Sequence, residues 1–261
     1  MIEEPYRWVE AISNRREYVE HQLAQGSPIT ALTYRDGILF LTLSRERQKI
    51  FEIYDRIAMG AIGHPGDIER LRMAAIELTS TEGFTRSTAD VSLRRLATYS
   101  LSPALKAAFE QVYGAPYLAR MLFGELGRKG ERNLFVRIDY DGAIHTNGGS
   151  HIHTFEDFGV ISGTSASANA MEKFLRTQNF TDAPLADALR VAVDAWIVGQ
   201  LALDEEPSEE LPSAERIAEH RAEQFSNAII EAAVLEHTAR TAIKYRQLGS
   251  GEFDALQLTA H

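Results

Sequence analysis

Cysteine is absent from the 261-residue chain. That one absence removes disulfides, zinc–thiolate sites and cysteine nucleophiles, and it suits a reducing cytoplasm. Long apolar runs are missing too. No segment approaches the ~20 apolar residues of a membrane span. The first residues, MIEEPYRW, are acidic with no apolar run behind them, so no signal peptide is predicted. Basic charge is in deficit. With 27 Lys and Arg against 37 Asp and Glu, the formal net charge is −10, which argues against a nucleic-acid binder, since that role needs a basic face. Gly163-Thr164-Ser165-Ala166 hints at a phosphate cradle, but it lacks the Gly-x-x-x-x-Gly-Lys pattern and is rejected as one.

What is present is an ordinary globular composition, 44% hydrophobic and 25% charged. A chain of this length buries roughly 70–75% of the surface its unfolded form exposes, so it needs no covalent staples. Its densest pattern runs from Gly26 to Gly63. Ile29 to Tyr34 is β-branched and aromatic, and Arg35-Asp36-Gly37 is a turn signal. Ile38 to Leu43 is almost unbroken apolar, the pattern of a strand covered on both faces. Lys49 opens Ile50 to Tyr54. After Asp55-Arg56, the small residues of Ile57 to Gly63 suit a tightly packed strand. Pro5 to Gln25, upstream, reads as a helix broken at Gly26.

Downstream, Asp67 to Phe84 is predicted as a helix with Asp67 as N-cap. A second helix is predicted from Asp90 to Tyr113, with a kink at Ser102-Pro103. Strands follow at Leu118 to Gly127 and Asn133 to Asp139, then a Tyr140-Asp141-Gly142 turn with a short strand, then Phe158 to Gly163. A helix pair is expected at Ser165 to Thr177 and Pro184 to Leu203. Asp204 to Pro212 reads as an acidic linker loop. The chain closes with a short helix, Ala214 to Phe225, a hairpin of Ala228 to His237 with Thr241 to Leu248, and a short helix or tail. Strands grouped between helix pairs do not alternate as βαβ units, so a doubly wound sheet is not expected. The order predicts an α+β fold, a four-layer αββα sandwich with an extra N-terminal helix, as one domain over 1–261.

His145, His151, His153, Glu156 and Asp157 are the only stretch that invites a metal. A loop does not fix ligand spacing as a helix would, and these histidines are read as surface residues. No metal or other cofactor is assigned.

Hairpin, lysine-led strand, small-residue strand and then a helix opening at His64-Pro65-Gly66-Asp67 resemble the first half of a proteasome subunit. IYDRIAMGAIG followed by DIERLRMAAIEL resembles the α-type subunit of the bacterial 20S proteasome most. Glu17-Tyr18-Val19 before Gly26-Ser27 looks like that family's N-terminal helix. The resemblance implies the αββα N-terminal-nucleophile hydrolase fold. It also implies a subunit without catalysis. The nucleophile position falls near Pro28, which has no hydroxyl, and the aspartate position falls near Leu43. An N-terminal nucleophile needs its own free α-amine as base. Only the lysine position is kept, as Lys49. A lysine opening a strand is most often a solvated strand end, but in α-type subunits it receives the C-terminal carboxylate of a docking ring ATPase. The resemblance further implies a homo-oligomeric ring of seven, a catalytic β-type partner, a gate at Met1 to Trp8 (Pro5, Tyr6 and Trp8) and a cytoplasmic site of action. Two alternatives stay open: a divergent hydrolase processed near Ser27 or Thr30, and a stand-alone αββα binding protein.

Overall fold

The architecture was taken from a computed structural model. It describes residues 5–44, 47–111, 113–128, 130–146, 156–204, 210–225 and 229–255. Helix α1 spans Pro5–Leu23, and four strands follow: β1 (Ile29–Tyr34), β2 (Gly37–Ser44), β3 (Ile50–Tyr54) and β4 (Ile57–Gly63). Helix α2 is Pro65–Thr85. Next come α3 (Leu93–Arg95), a π-helical stretch (Leu96–Leu101) and α4 (Ser102–Glu110). Strands β5 (Ala119–Glu125), β6 (Leu134–Ile138), β7 (Ile144–Thr146) and β8 (Phe158–Ile161) precede α5 (Ser165–Leu175), α6 (Leu185–Asp204) and α7 (Ala214–Phe225). Strands β9 (Ile229–Glu236) and β10 (Tyr245–Gln247) and helix α8 (Ser250–Ala255) complete the order.

Two five-stranded sheets form, ordered β10-β9-β2-β1-β8 and β3-β4-β5-β6-β7, and every pairing is antiparallel. Their facing surfaces meet in a core of Ile29, Ala31, Ile38, Phe40, Ala58, Leu122, Phe135 and Ile161. The outer face of the first sheet packs Leu39, Leu41 and Val234 against α5 and α6. The outer face of the second packs Met59, Met121 and Phe123 against α2 and the α3–α4 segment. The predicted αββα sandwich is therefore the observed one. β2 is buried on both faces over seven consecutive residues, as its unbroken apolar run requires.

Several local expectations are corrected. Asp67 does not cap α2. The helix starts at Pro65, a ring pre-set for the first turn, and the Asp67 carboxylate instead accepts the Leu118 N–H at 3.0 Å. The helix predicted from Asp90 to Tyr113 is a three-part segment over 93–110. Pro103 has no N–H to give the Tyr99 carbonyl, and the chain widens before it so that Ser102 N–H reaches Ala97 O. His145 lies in β7 rather than in a loop. The last strand is only Tyr245–Gln247, with Leu248 N–H still donating to Ala232 O at the next position of the β9 register. The Tyr140-Asp141-Gly142 turn is as expected. Gly142 has φ +81°, and a Cβ there would stand 2.5 Å from Ser102 O.

Candidate functional site

Lys49 sits one residue before β3, where the two sheets come together. Its backbone N–H and that of Ile50 both donate to the Glu231 carboxylate on β9, at 2.8–3.0 Å. One side chain of the first sheet thus pins the start of a strand in the second. Burial pushes the Glu231 carboxyl up, and these two N–H donors with the nearby ammonium pull against that. The Lys49 ammonium turns inward and donates to the Ser27 hydroxyl. Burial lowers its pKa below the ordinary value, and Glu231 opposes the fall. Lys49 is therefore not a solvated strand end.

A cleft of about 590 Å³ opens over this lysine. Its walls include Ser27 ahead of β1, Arg47, Trp196 and Gln200 on α6, Asp204 at the end of α6 and Gln224 on α7. Gln200 donates to Asp204 at 3.0–3.1 Å. Trp196 is 3% exposed, and its indole Nε1 has no acceptor among the described residues. The Lys49 ammonium, braced by the Ser27 hydroxyl beside the Trp196 ring, gives this recess a cation that can meet an anionic group.

The other sequence-predicted positions fall elsewhere. Pro28 enters β1 with α1 and its following turn upstream of it, and Leu43 is buried. Thr30 is fully buried in β1, paired with Leu41 and Val160, and Ser27 is held by Lys49. Pro5 and Tyr6 lie in the first turn of α1, and Trp8 is 42% exposed. Glu17 is exposed, and Tyr18 projects at 53% exposure. His145 pairs with Asp139 at 3.3 Å, and His151 and His153 lie outside the described residues. Among the described residues no cluster of three or more His, Asp or Glu could hold a metal.

Sequence reasoning missed what holds α1 in place. Its neighbour Glu20, not Glu17 or Tyr18, faces inward with Val19. Arg120, on β5, bonds Glu20 at 3.1 Å, Asp139 at 2.6 Å and the Ser162 carbonyl at 2.7 Å. The Tyr140 hydroxyl also donates to Glu20, at 2.9 Å. Burial would lower the Arg120 pKa, but the two carboxylates outweigh it and the net shift is upward. Arg15 closes the other side by donating to the Phe109 and Gln111 carbonyls at the C-terminal end of α4, both at 2.6 Å. The signal was available: a single arginine inside the apolar run LARMLFGEL must find a buried partner.

A family model described as "Proteasome subunit" matches residues 24–196. The chain belongs to the proteasome subunit family. A Proteasome subunit alpha of Frankia casuarinae is 34% identical over 190 residues, covering 72% of this chain and 74% of that protein. A Proteasome subunit alpha of Parafrankia sp. is 34% identical with similar coverage, and one of Kineococcus radiotolerans is 31% identical over 186 residues. The resemblance to a bacterial α-type proteasome subunit, first read from Tyr54-Asp55-Arg56 and its surroundings, is upheld. Lys49, Ser27 and Trp196 lie inside the matched span, whereas Gln200, Asp204 and Gln224 lie beyond it.

Proposed function

We propose that this chain is the non-catalytic α-type subunit of a bacterial 20S proteasome core particle, acting in protein degradation in the cytoplasm. It forms an outer ring of seven copies, gates substrate entry and docks a ring-shaped ATPase. The observation that carries this reading is the run of α1 directly into a β1 entered by proline. A nucleophile using its own α-amine would have to begin the chain where Pro28 stands, with nothing upstream. Here a helix anchored by Glu20 and Arg15 occupies that side.

The resemblance to the α-type family assigns Lys49 to the C-terminal carboxylate of the activator. Its cleft supports the assignment, because an ammonium acts there as a point charge for a chain terminus. Pro5, Tyr6 and Trp8 form the gate. The chain folds as one domain from 1 to 261. A catalytic β-type subunit covers another face. Phe84 and Tyr99 stand 93% and 77% exposed near a groove of about 810 Å³ between α2 and the π-helical stretch. Aromatic side chains left in water like this mark a surface that an assembly covers. Head-to-tail contacts between two different side surfaces close such a ring.

Electron microscopy of the chain co-expressed with its β-type partner tests the assembly. Rings of seven are expected, stacked on the partner. Discrete monomers under those conditions would refute it. For the site, Lys49→Ala is expected to abolish activator-stimulated degradation while leaving the ring intact. Unchanged stimulation would withdraw Lys49 from the role.

A further inference from the structure

The pairing of Ser27 with Lys49 carries a chemistry separate from docking. Lys49 Nζ bonds the Ser27 hydroxyl and forms no ion pair among the described residues. Glu231 is near, but its two carboxylate oxygens are taken by the Lys49 and Ile50 backbone N–H groups. Ser27 Oγ has one other contact, a long one of 3.4 Å to the Leu43 carbonyl. Both residues are partly exposed, and both line the cleft of about 590 Å³. A serine hydroxyl held by a lysine that no carboxylate claims is the arrangement of a nucleophile beside its base.

We propose that Ser27 is a nucleophile with Lys49 as its general base, which makes the cleft a site of covalent acylation at Ser27. The substrate class is an activated acyl donor, an ester or a thioester. The inference does not rest on the docking reading. In the step, neutral Lys49 accepts the Ser27 hydroxyl proton as Oγ bonds the acyl carbon. The tetrahedral adduct then expels the alcohol or thiol, which departs with that proton, and the acyl group stays on Ser27. A lysine can serve as such a base when burial favours its neutral form, and burial acts on Lys49 more strongly than Glu231 does. The other charges on the cleft wall are Arg47 and Asp204, one of each sign. Donors for the oxyanion are unspent: neither the Ser27 backbone N–H nor the Arg47 guanidinium has an acceptor among the described residues. Because the base is a side-chain amine, the step needs no free α-amine and no removal of α1.

The test treats the full-length chain with diisopropyl fluorophosphate, a phosphorus analogue of an acyl donor that bonds a serine oxygen and loses fluoride. Intact mass and peptide mapping read the product. One adduct per chain is expected at Ser27, and none there in Ser27→Ala. Lys49→Arg keeps the cation and removes the base, and is expected to slow labelling on the order of a hundredfold. Labelling of the native chain should rise with pH and reach half its maximum below 10.5. A lysine that only braces Ser27 would give neither result. An unmodified Ser27, or equal labelling of the native chain and Lys49→Arg, overturns the proposal. Docking is read separately, by activator-stimulated degradation with Lys49→Ala, and stands or falls whichever way the labelling goes.

Discussion

Replacing Arg120 with methionine is the sharpest structural probe of how α1 is held. Methionine keeps a long stem and removes the guanidinium. Arg120 is among the few buried charged residues of the described chain, at 7% exposure. Three partners lose it together: Glu20, Asp139 and the Ser162 carbonyl. Glu20 is half in water and keeps the Tyr140 hydroxyl, so its share is small. Asp139 keeps Arg137 at 3.5 Å and His145 at 3.3 Å, both weaker contacts than the 2.6 Å bond it loses. The Ser162 carbonyl is left in a buried position. Breaking a buried ion pair from one side costs about 3–5 kcal/mol. The upper half is not expected here, because Asp139 is only partly orphaned, so ~3 kcal/mol is the working value. In a chain of this size that lowers the melting midpoint by roughly 6–12 °C. Glu20→Gln alone should cost about 1 kcal/mol, the scale of a part-exposed pair. Chemical denaturation gives both values, and hydrogen exchange locates them: α1 amides should exchange faster in both variants. If Arg120→Met lies within ~1 kcal/mol of the native chain, the network is not what fixes α1 and the reasoning fails.

Three further outcomes are expected. Glu231→Ala leaves the Lys49 and Ile50 N–H groups without their shared acceptor and should destabilise by about 2–3 kcal/mol in chemical denaturation; an unchanged midpoint would contradict the bridge between sheets. Because burial depresses the Lys49 pKa below 10.5, peptide-acid binding should weaken as pH rises from neutral toward that value, ahead of an ordinary lysine. The stability sign is opposite: a charged group whose folded pKa is lowered costs stability while protonated, and the cost fades as pH rises from the depressed value to the unfolded one. Binding that holds constant up to 10.5 in titration calorimetry would refute the depression. Gly142→Ala places a Cβ 2.5 Å from Ser102 O at a positive φ and should cost about 1–3 kcal/mol, read as a lowered melting midpoint.

Much of this fold is legible in the chain. β1, β2 and β4 are runs of β-branched or apolar residues between turn signals, and their local pattern agrees with their burial. Helix α7 has its expected bounds, Ala214 to Phe225, between Pro212-Ser213 and Ser226-Asn227. The differences have two causes: partners far away in the chain, and a local relaxation around Pro103. Asp67 looks like a cap until Leu118, fifty-one positions on, claims its carboxylate. The break before Pro103 appears as a kink, whereas the chain relaxes it into a π turn over Leu96–Leu101. Lys49 was recognisable from its place ahead of a strand. Its cleft was not, because Trp196, Gln200 and Gln224 come from helices about 150 to 175 positions later. Glu20 and Arg120, 100 positions apart, are joined only by the fold.

The central claim is that this family member keeps its N-terminal helix and builds a ring instead of a catalytic terminus. Native mass spectrometry of the chain purified with its β-type partner tests both parts in one spectrum. The account predicts seven copies per ring, each with the mass of a chain that still carries α1. A mature species beginning at Ser27 or Thr30, with α1 removed, would contradict it and establish a processed hydrolase instead.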